Sequence, residues 1–334
     1  MPVKGDYSDR LLGEPLPAVC ATRECSAHPE TAEGWYVWSF ATLDYREALE
    51  RVTKATQLDP TSTHAWLRRL YLHLVSRDEQ ALECADRLIA LEPRSGNYKE
   101  LKGHVLNVLG RFDEAAQQFN SLIDLDSSKD TLANSTLYCG HAHRGARQHR
   151  AAEEDYLQSW NAWESLRQGG TPWRLTHYAT VLWINGKYTE ALAALLRMHD
   201  ASGRVTYSDV RRFLVLWEKG EVPLAKEVLR RTKEETYKND TDQDKWLRAI
   251  LECLGRAVAS ETDFSPELLV AEAGNDVERR CEAYYYAGEA CLLQKRKAEA
   301  CKWFQQCKDT NMWFDPNTWP PQFMNEYDLV LRHA

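Results

Sequence analysis

The sequence predicts an all-α fold: a solenoid of about eight helix–turn–helix repeats that ends in a C-terminal capping helix. Three observations lead to this prediction. Glycine and proline are sparse, at 16 and 12 of 334 residues, and helix-forming residues dominate the segments between them. Alternating Val, Ile and Thr patterns, which are typical of strands, are almost absent. Finally, a pattern of alanines recurs at nearly constant spacing, which indicates a repeat architecture.

Seven alanines anchor the repeat, and all except Ala81 precede a larger residue by four positions. They are Ala48, Ala81, Ala115, Ala152, Ala191, Ala225 and Ala300. Their successive separations are 33, 34, 37, 39, 34 and 75 residues, so the period is about 34. Twelve positions before four anchors stand small residues that suit a close helix crossing, namely Gly103, Gly140, Ala179 and Gly288. Between the helices, Gly110, Gly186 and Gly220 suit helix C-termini, and Pro223 suits a helix start.

These positions resemble the tetratricopeptide repeat, which carries small residues at positions 8, 20 and 27 and an aromatic residue near position 24. Position 8 is matched by Gly103, Gly140 and Gly288, and position 24 by Phe119, Tyr156 and Phe304. Arg69 and Phe213 depart from the pattern at position 8. The resemblance implies a right-handed superhelical solenoid. Residues 279–307, followed by the segment NEYDLV at 325–330, also resemble C-terminal repeats of bacterial members, some of them joined to protein kinases, which implies a bacterial scaffold.

The domain organisation predicted from the period has three parts. Residues 1–30 form an extended N-terminal segment, 31–312 the solenoid, and 313–334 a C-terminal strap and capping helix. The repeats lie near 31–60, 61–94, 96–129, 133–169, 172–204, 206–238, 239–276 and 277–312. The repeat at 239–276 is degenerate: in it Ser265 is the expected N-cap of a short helix, Pro266 its first residue and Gly274 its stop.

Composition excludes several classes of function. A net charge of −8 provides no general cationic surface for nucleic acid, so we expect no nucleic-acid partner. No apolar stretch approaches the ~20 residues that span a bilayer, so we expect no membrane insertion. The first residues lack the apolar region of a secretory signal, and nine cysteines, an odd number, fit a reducing compartment. We therefore expect a cytoplasmic protein.

Three cysteine and histidine clusters have residue types that can bind metals. Cys20, Cys25 and His28 have the residue types of zinc ligands, but their spacing is irregular and no fourth ligand follows. Four further cysteines, Cys281, Cys291, Cys301 and Cys307, fall at repeat positions 1, 11, 21 and 27. Positions 11 and 27 normally face the interior of a repeat, so core packing is favoured over a redox or metal role. His141 and His143 are two residues apart and point to different sides of a helix, whereas a metal pair prefers a spacing of four. We therefore expect no metal and no cofactor.

No catalytic motif is present in the sequence: it lacks GxSxG, a Walker loop, HExxH and a GxGxxG that follows a strand. We accordingly expect no catalytic residues and no enzyme activity. The family resemblance implies instead that the first helices of successive repeats line a concave, peptide-binding groove. The residues it assigns to that groove are Trp66, His73, Asn97, Glu100, His104, Asn107, Asn134, His141, Arg144, Trp173, Thr180, Trp183, Tyr207, Trp217 and Tyr285.

The function predicted is a non-catalytic scaffold or adaptor that holds a protein or peptide partner in the groove. Asparagine amides can bond both the donors and the acceptors of an extended peptide, and aromatic side chains supply contact area. The Lys and Asn clamp that binds chaperone tails in some family members is absent. One alternative is a self-associating or regulatory subunit of a larger, kinase-linked assembly, in which a homodimer forms through Trp313, Trp319 and the C-terminal helix. The least favoured alternative is a metal or redox sensor.

Overall fold

A computed structural model describes residues 30–42, 44–165, 173–202, 206–238, 240–260, 264–310, 314–315 and 322–323. The described chain is built of helices: α1 Ala32–Trp38, α2 Tyr45–Leu58, α3 Thr63–Val75, α4 Gln80–Leu91, α5 Gly96–Val108, α6 Phe112–Leu125, α7 Lys129–Gly145, α8 His149–Ser165, α9 Trp173–Ile184, α10 Tyr188–Ser202, α11 Tyr207–Glu218, α12 Val222–Thr236, α13 Asp242–Ala259, α14 Glu267–Glu272, α15 Val277–Leu293 and α16 Lys297–Asp309. Two two-residue strands, Phe314–Asp315 and Gln322–Phe323, pair in a small sheet. The predicted all-α, tetratricopeptide-type fold class is confirmed.

Side-chain N-caps start the first helix of each repeat wherever the structure describes that start. In these caps a hydroxyl or carboxylate accepts a backbone N–H of the first turn, which satisfies a donor that has no partner inside the helix. The capping residues are Thr31, Ser62, Ser95, Ser128, Thr206, Thr241 and Asp276. Thr206 and Thr241 form complete capping boxes with Asp209 and Asp244. These caps set where each repeat begins.

The turn inside a repeat has one recurring geometry. At six such turns the second residue after the first helix is left-handed, and the next N–H bonds the carbonyl five residues earlier, as in Arg111 N to Leu106 O at 2.9 Å. Three of these left-handed residues are the predicted glycines, Gly110, Gly186 and Gly220, with φ of +77°, +74° and +91°, and the other three are Arg77, Arg147 and Lys295. The glycine pattern therefore identified half of the turns.

Close packing of the two helices of a repeat follows the predicted glycine and aromatic positions. Phe119 of α6 lies over Gly103 of α5, and a β-carbon built on Gly103 would come within 2.5 Å of the Phe119 ring. Phe304 of α16 lies over Gly288 of α15 in the same way, at 2.3 Å. All seven anchor alanines are buried, because they face the preceding helix where larger side chains would separate the pair.

The described helices divide into two compact units. The N-terminal unit holds α1 to α7, and its buried residues include Val52, Leu70 and Phe119. The C-terminal unit holds α8 to α16 and contains a large apolar cluster in which Phe213 and Leu251 are fully buried. The division falls between Gln148 and His149, inside the fourth predicted repeat.

The degenerate repeat departs from the expected capping. Its second helix, α14, begins at Glu267, and Pro266 occupies the N-cap without a side-chain bond. Ser265, the expected cap, instead donates its hydroxyl to the Glu267 carboxylate at 2.6 Å. Gly274 follows the helix in a left-handed conformation, as expected for its stop. The expectation for Ser265 is therefore wrong, since a proline at the N-cap starts the helix one residue later.

The predicted N-terminal segment and the C-terminal capping helix lie outside the described residues, apart from residue 30 and the two short strands. Trp313 and Trp319, which carried the homodimer alternative, lie outside them as well. Within the described ranges, none of the helices combines the length and hydropathy needed to cross a lipid bilayer.

Candidate functional site

The groove residues assigned to the N-terminal unit lie along one stripe of α3, α5 and α7, here called the first-helix stripe. Its members toward the C-terminal ends of these helices are buried: His73, His104, Asn107, His141 and Arg144. Its members toward the N-terminal ends are accessible: Asn97 is exposed, and Trp66, Glu100 and Asn134 are half-buried. The surface that this stripe offers to a ligand therefore lies at the N-terminal ends of the helices.

Trp66 and Asn97 provide two different contacts at the accessible end. The Trp66 indole N–H donates to the carbonyl of Pro60 at 3.0 Å, and the Arg69 guanidinium lies 5.3 Å from the indole ring centroid. These contacts hold the ring in place. Asn97, in the first turn of α5, leaves its amide exposed, and within the described residues that amide makes no hydrogen bond. The end of the stripe thus offers a held aromatic ring and an amide open to solvent.

His73 ends the stripe on α3 in a polar contact with the following turn. Its Nδ1 lies 3.2 Å from the Asp78 carboxylate, and the imidazole is buried. Burial lowers the pKa of His73, although the neighbouring Asp78 raises it in part. The ring is consequently neutral at pH 7, and this contact fixes the turn between α3 and α4.

His104 is a packing residue within the N-terminal unit. Its ring meets the Tyr138 ring edge-on with centroids 4.4 Å apart, and the Phe119 ring at 5.2 Å. Its Nε2 lies 3.6 Å from a Glu100 carboxylate oxygen one turn earlier on α5. These contacts join α5, α6 and α7, so His104 contributes chiefly to the packing of neighbouring repeats.

Asn107 occupies an unfavourable environment for an amide. Its side chain is 2% exposed, and neither Oδ1 nor Nδ2 finds a hydrogen-bond partner in the described part of the chain. A buried polar group without a partner costs about 1–3 kcal/mol. The sequence predicted Asn107 as a binding amide, but burial leaves it no surface at which a ligand makes contact.

The groove residues assigned to the C-terminal unit are more deeply packed. Trp183 is buried and donates its indole N–H to Glu218 at 2.9 Å, and Thr180 donates to the Thr176 carbonyl at 2.8 Å. Tyr285 is fully buried, with its ring centroid 4.9 Å from that of Tyr286. Tyr207 and Trp217 are half-buried, and the side chain of Trp173 lies outside the described residues. Most of these aromatic residues therefore pack between helices.

A carboxylate joins three helices of the C-terminal unit. The repeat positions assigned Tyr207 and Glu282 to the groove, but not their third partner, Trp246. Glu282 of α15 accepts from the Tyr207 hydroxyl at 2.9 Å and from the Trp246 indole N–H at 2.5 Å. Trp246 lies on α13, in the degenerate repeat, for which the family pattern assigned no groove residues. The sequence did show a tryptophan shortly after the start of α13. Because the degenerate repeat could not be aligned with the others, its repeat position, and hence the face of the helix on which it lies, could not be assigned.

The cysteines behave mainly as apolar core residues. Cys281, Cys291 and Cys307 are buried, Cys301 is exposed, and the Sγ atoms of Cys281 and Cys307 lie 3.5 Å apart. Cys281 stands at repeat position 1, which was not expected to face the interior, so its burial differs from the prediction. Its sulfur packs against that of Cys307, at position 27 of the same repeat. Burial raises the pKa of Cys291 to about 12.

Metal ligation was tested against the geometry. In the ranges that the structure describes, no group of three or more His, Cys, Asp or Glu side chains is placed to hold a metal ion. Cys20, Cys25 and His28 lie outside those ranges. His141 is buried on α7, and His143 is half-buried on the same helix.

Comparison with known proteins supports the repeat assignment. A family model described as a tetratricopeptide repeat matches residues 77–130, which span α4 to α6. No curated protein matches the sequence. Among solved structures, PilF of Pseudomonas aeruginosa shares 15% identity, covers 61% of this chain and 90% of its own, and has a TM-score of 0.45.

Two further solved structures show similar values. PilW, a type IV pilus biogenesis factor, shares 16% identity and covers 66% of this chain and 99% of its own, with a TM-score of 0.47. The apo form of RapI shares 12% identity and covers 80% of this chain and 76% of its own, with a TM-score of 0.49. At these identities no function is transferred from them.

Proposed function

We propose that the chain is a non-catalytic tetratricopeptide-repeat scaffold that binds a peptide segment of a partner protein on the first-helix stripe of its N-terminal unit. The accessible ends of α3, α5 and α7 carry this proposal, because they combine a held indole with amides. Trp66 supplies contact area, and Asn97 and Asn134 supply donors and acceptors for a peptide backbone.

The graded burial of the stripe is the single observation that supports this function best. Asn97 stands in water with its amide available, whereas the deeper members of the stripe pack against their neighbours. A repeat array that is ordered before binding loses little conformational entropy when it takes up an extended peptide. Affinity is therefore expected to come from Trp66 and the two asparagines, with the buried residues holding their helices in place. Self-association through the C-terminal region and a cytoplasmic location stay predictions.

Capture of partners from a lysate of the source organism, with identification by mass spectrometry, tests the proposal. Wild type is compared with a variant that carries Asn97→Ala and Asn134→Ala. Each lost amide contact is worth about 0.5–1.5 kcal/mol, so a direct titration with the captured partner should show affinity lowered about tenfold.

Gln117→Ala is the matched control, because Gln117 is an exposed amide on α6, a second helix outside the stripe. This control should retain the partner at wild-type affinity, and both it and the single variant Asn97→Ala should keep the wild-type thermal midpoint. Equal affinity for wild type and the double asparagine variant would refute the proposed stripe.

A further inference from the structure

The seventh repeat lacks most of its second helix. Its first helix, α13, has 18 residues, whereas its second helix, α14, has only six. Second helices elsewhere in the chain have 12 to 17 residues, as in α4 and α8. Since a second helix normally packs along the first, a short α14 leaves part of α13 uncovered.

The uncovered part of α13 forms one wall of a groove, here called the α13–α14 groove, with a volume of about 510 Å³. It lies within the C-terminal unit and is lined by Tyr237, Lys245, Arg248, Ala249, Glu252, Cys253, Arg256, Phe264, Ser265, Leu268, Leu269 and Glu272. Six of these residues belong to α13 and recur every three or four positions, so one face of that helix runs along the groove.

The groove is apolar at its base and open on one side. Cys253, Leu269 and Phe264 are buried, while Leu268 and Tyr237 are each 58% exposed at its edges. Small-molecule pockets usually enclose most of their ligand. A groove with a half-open apolar edge instead suits a rod-shaped ligand that keeps one face in water.

Charge on the groove favours an acidic ligand at one end. Lys245 and Arg248 share the single carboxylate of Asp240, at 3.4 and 2.9 Å, so neither cation has a carboxylate to itself there. The neighbouring Asp242 pairs with Arg279, and Asp244 is held in the capping box of α13. The Glu252 carboxylate is already paired with Lys233 at 2.7 Å. An acidic residue near Lys245 would therefore gain attraction without displacing an existing partner.

We propose that the α13–α14 groove binds an amphipathic α-helix of a partner protein, which takes the place of the missing turns of the second helix. Such a helix sets apolar side chains three or four residues apart between Leu268 and Ala249 and places acidic residues beside Lys245 and Arg248. The groove is lined by α13, α14 and residues of the loops beside them and does not include the first-helix stripe, so this inference stands independently of the function proposed above.

Synthetic helical peptides test the inference against the full chain by fluorescence anisotropy. The probe is a peptide of about 16 residues with leucines on one face and glutamates at one end, which spans about 24 Å as a helix. Two matched peptides carry lysine in place of glutamate, or the same residues in an order that removes the apolar face. The acidic amphipathic peptide should bind and gain helical circular dichroism, and the other two should bind at least about tenfold more weakly.

Variants of the full chain identify the site. Leu268→Asp should weaken binding of the acidic peptide about tenfold or more, since it removes an apolar side chain that the peptide would bury. Lys245→Glu should reverse the preference between the acidic and basic peptides. Leu224→Asp, on an exposed leucine of α12 outside the groove, and the double variant Asn97→Ala with Asn134→Ala should bind as wild type does. Leu224 and Leu268 are both exposed, so neither variant should shift the thermal midpoint appreciably.

Several outcomes would overturn the proposal. These are no binding of the acidic peptide to wild type, equal binding of the acidic and basic peptides, and unchanged binding by Leu268→Asp. Sedimentation without peptide provides a last check: a dimer of wild type that Leu268→Asp abolishes would assign the groove to a second copy of this chain instead.

Discussion

Replacing Gly103 by alanine should destabilise the N-terminal unit, because there is no room for a methyl group at this position. A β-carbon at residue 103 would lie 2.5, 2.6 and 2.9 Å from three ring carbons of Phe119. The Phe119 ring is fully buried and lies against two other rings, those of His104 and Tyr138, each with a centroid 5.2 Å away. The ring therefore has little freedom to move aside, and α5 and α6 must separate.

The expected magnitude follows from two opposing effects. Overpacking a core usually costs about 1–3 kcal/mol, and a contact with three carbons of a held ring belongs at the upper end of that range. Alanine gains about 1 kcal/mol over glycine in helix propensity. The net loss of unfolding free energy should be about 2 kcal/mol.

Urea unfolding followed by circular dichroism measures this loss from the shift of the midpoint. Hydrogen exchange in peptides that cover α5 and α6 should locate the loss in this repeat. Gly255→Ala is the matched control: Gly255 lies inside α13, and a β-carbon there would meet nothing within 4 Å. That variant should gain about 0.5–1 kcal/mol.

A second substitution tests whether the Phe119 ring is the cause. Adding Phe119→Leu to Gly103→Ala should recover part of the loss, with an interaction free energy of about 1 kcal/mol in the double-mutant cycle. Wild-type or higher stability of Gly103→Ala would refute the reasoning, and so would full additivity of the two substitutions.

Three further predictions follow from the structure. Burial lowers the pKa of His73 in the folded protein, so the neutral ring stabilises the fold above the unfolded pKa of about 6.5, and this stabilisation is lost as the pH falls below that value. In His73→Gln the thermal midpoint should therefore fall less between pH 7.5 and 5.5 than it does in wild type. A pH dependence equal to that of wild type would contradict this reasoning. Among the described cysteines, exposed Cys301 should react first with a thiol reagent at pH 8, and buried Cys253, whose pKa burial raises to about 12, should stay unmodified in a peptide map. Lys295 has a left-handed backbone with a φ of +63°, which glycine adopts more readily than lysine, so Lys295→Gly should raise the unfolding free energy by about 1 kcal/mol. A lower urea midpoint for this variant would contradict the left-handed conformation at residue 295.

Much of the fold could be predicted from the sequence because a repeat uses the same local contacts many times. The anchor alanines and the pair of Gly103 and Phe119 occur at fixed spacing, and each reports one helix crossing. Arg69 is an exception, because it is a large residue at the close-packing position 8, and the sequence alone does not explain how the helices accommodate it. In the structure the Arg69 guanidinium extends toward the Trp66 ring and the Thr56 hydroxyl, so a large residue at the close-packing position does not separate the helices.

The candidate site could be predicted only in outline. Repeat positions indicate which face of a helix a residue occupies, but burial along that face depends on the neighbouring repeats. Asn97 and Asn107 stand on the same face of α5, yet one is exposed and the other is buried. The sequence treats them alike, because no local pattern encodes how closely α3 and α7 approach α5.

The sequence by itself determined the helical class, the period, the buried anchors and the glycine turns, since these depend on spacing along one or two helices. Tertiary structure alone decided which polar side chains reach water, that Trp246 shares the Glu282 carboxylate with Tyr207, and that a six-residue α14 opens a groove on α13. Those features depend on how helices pack against one another, and that packing sets exposure and charge pairing.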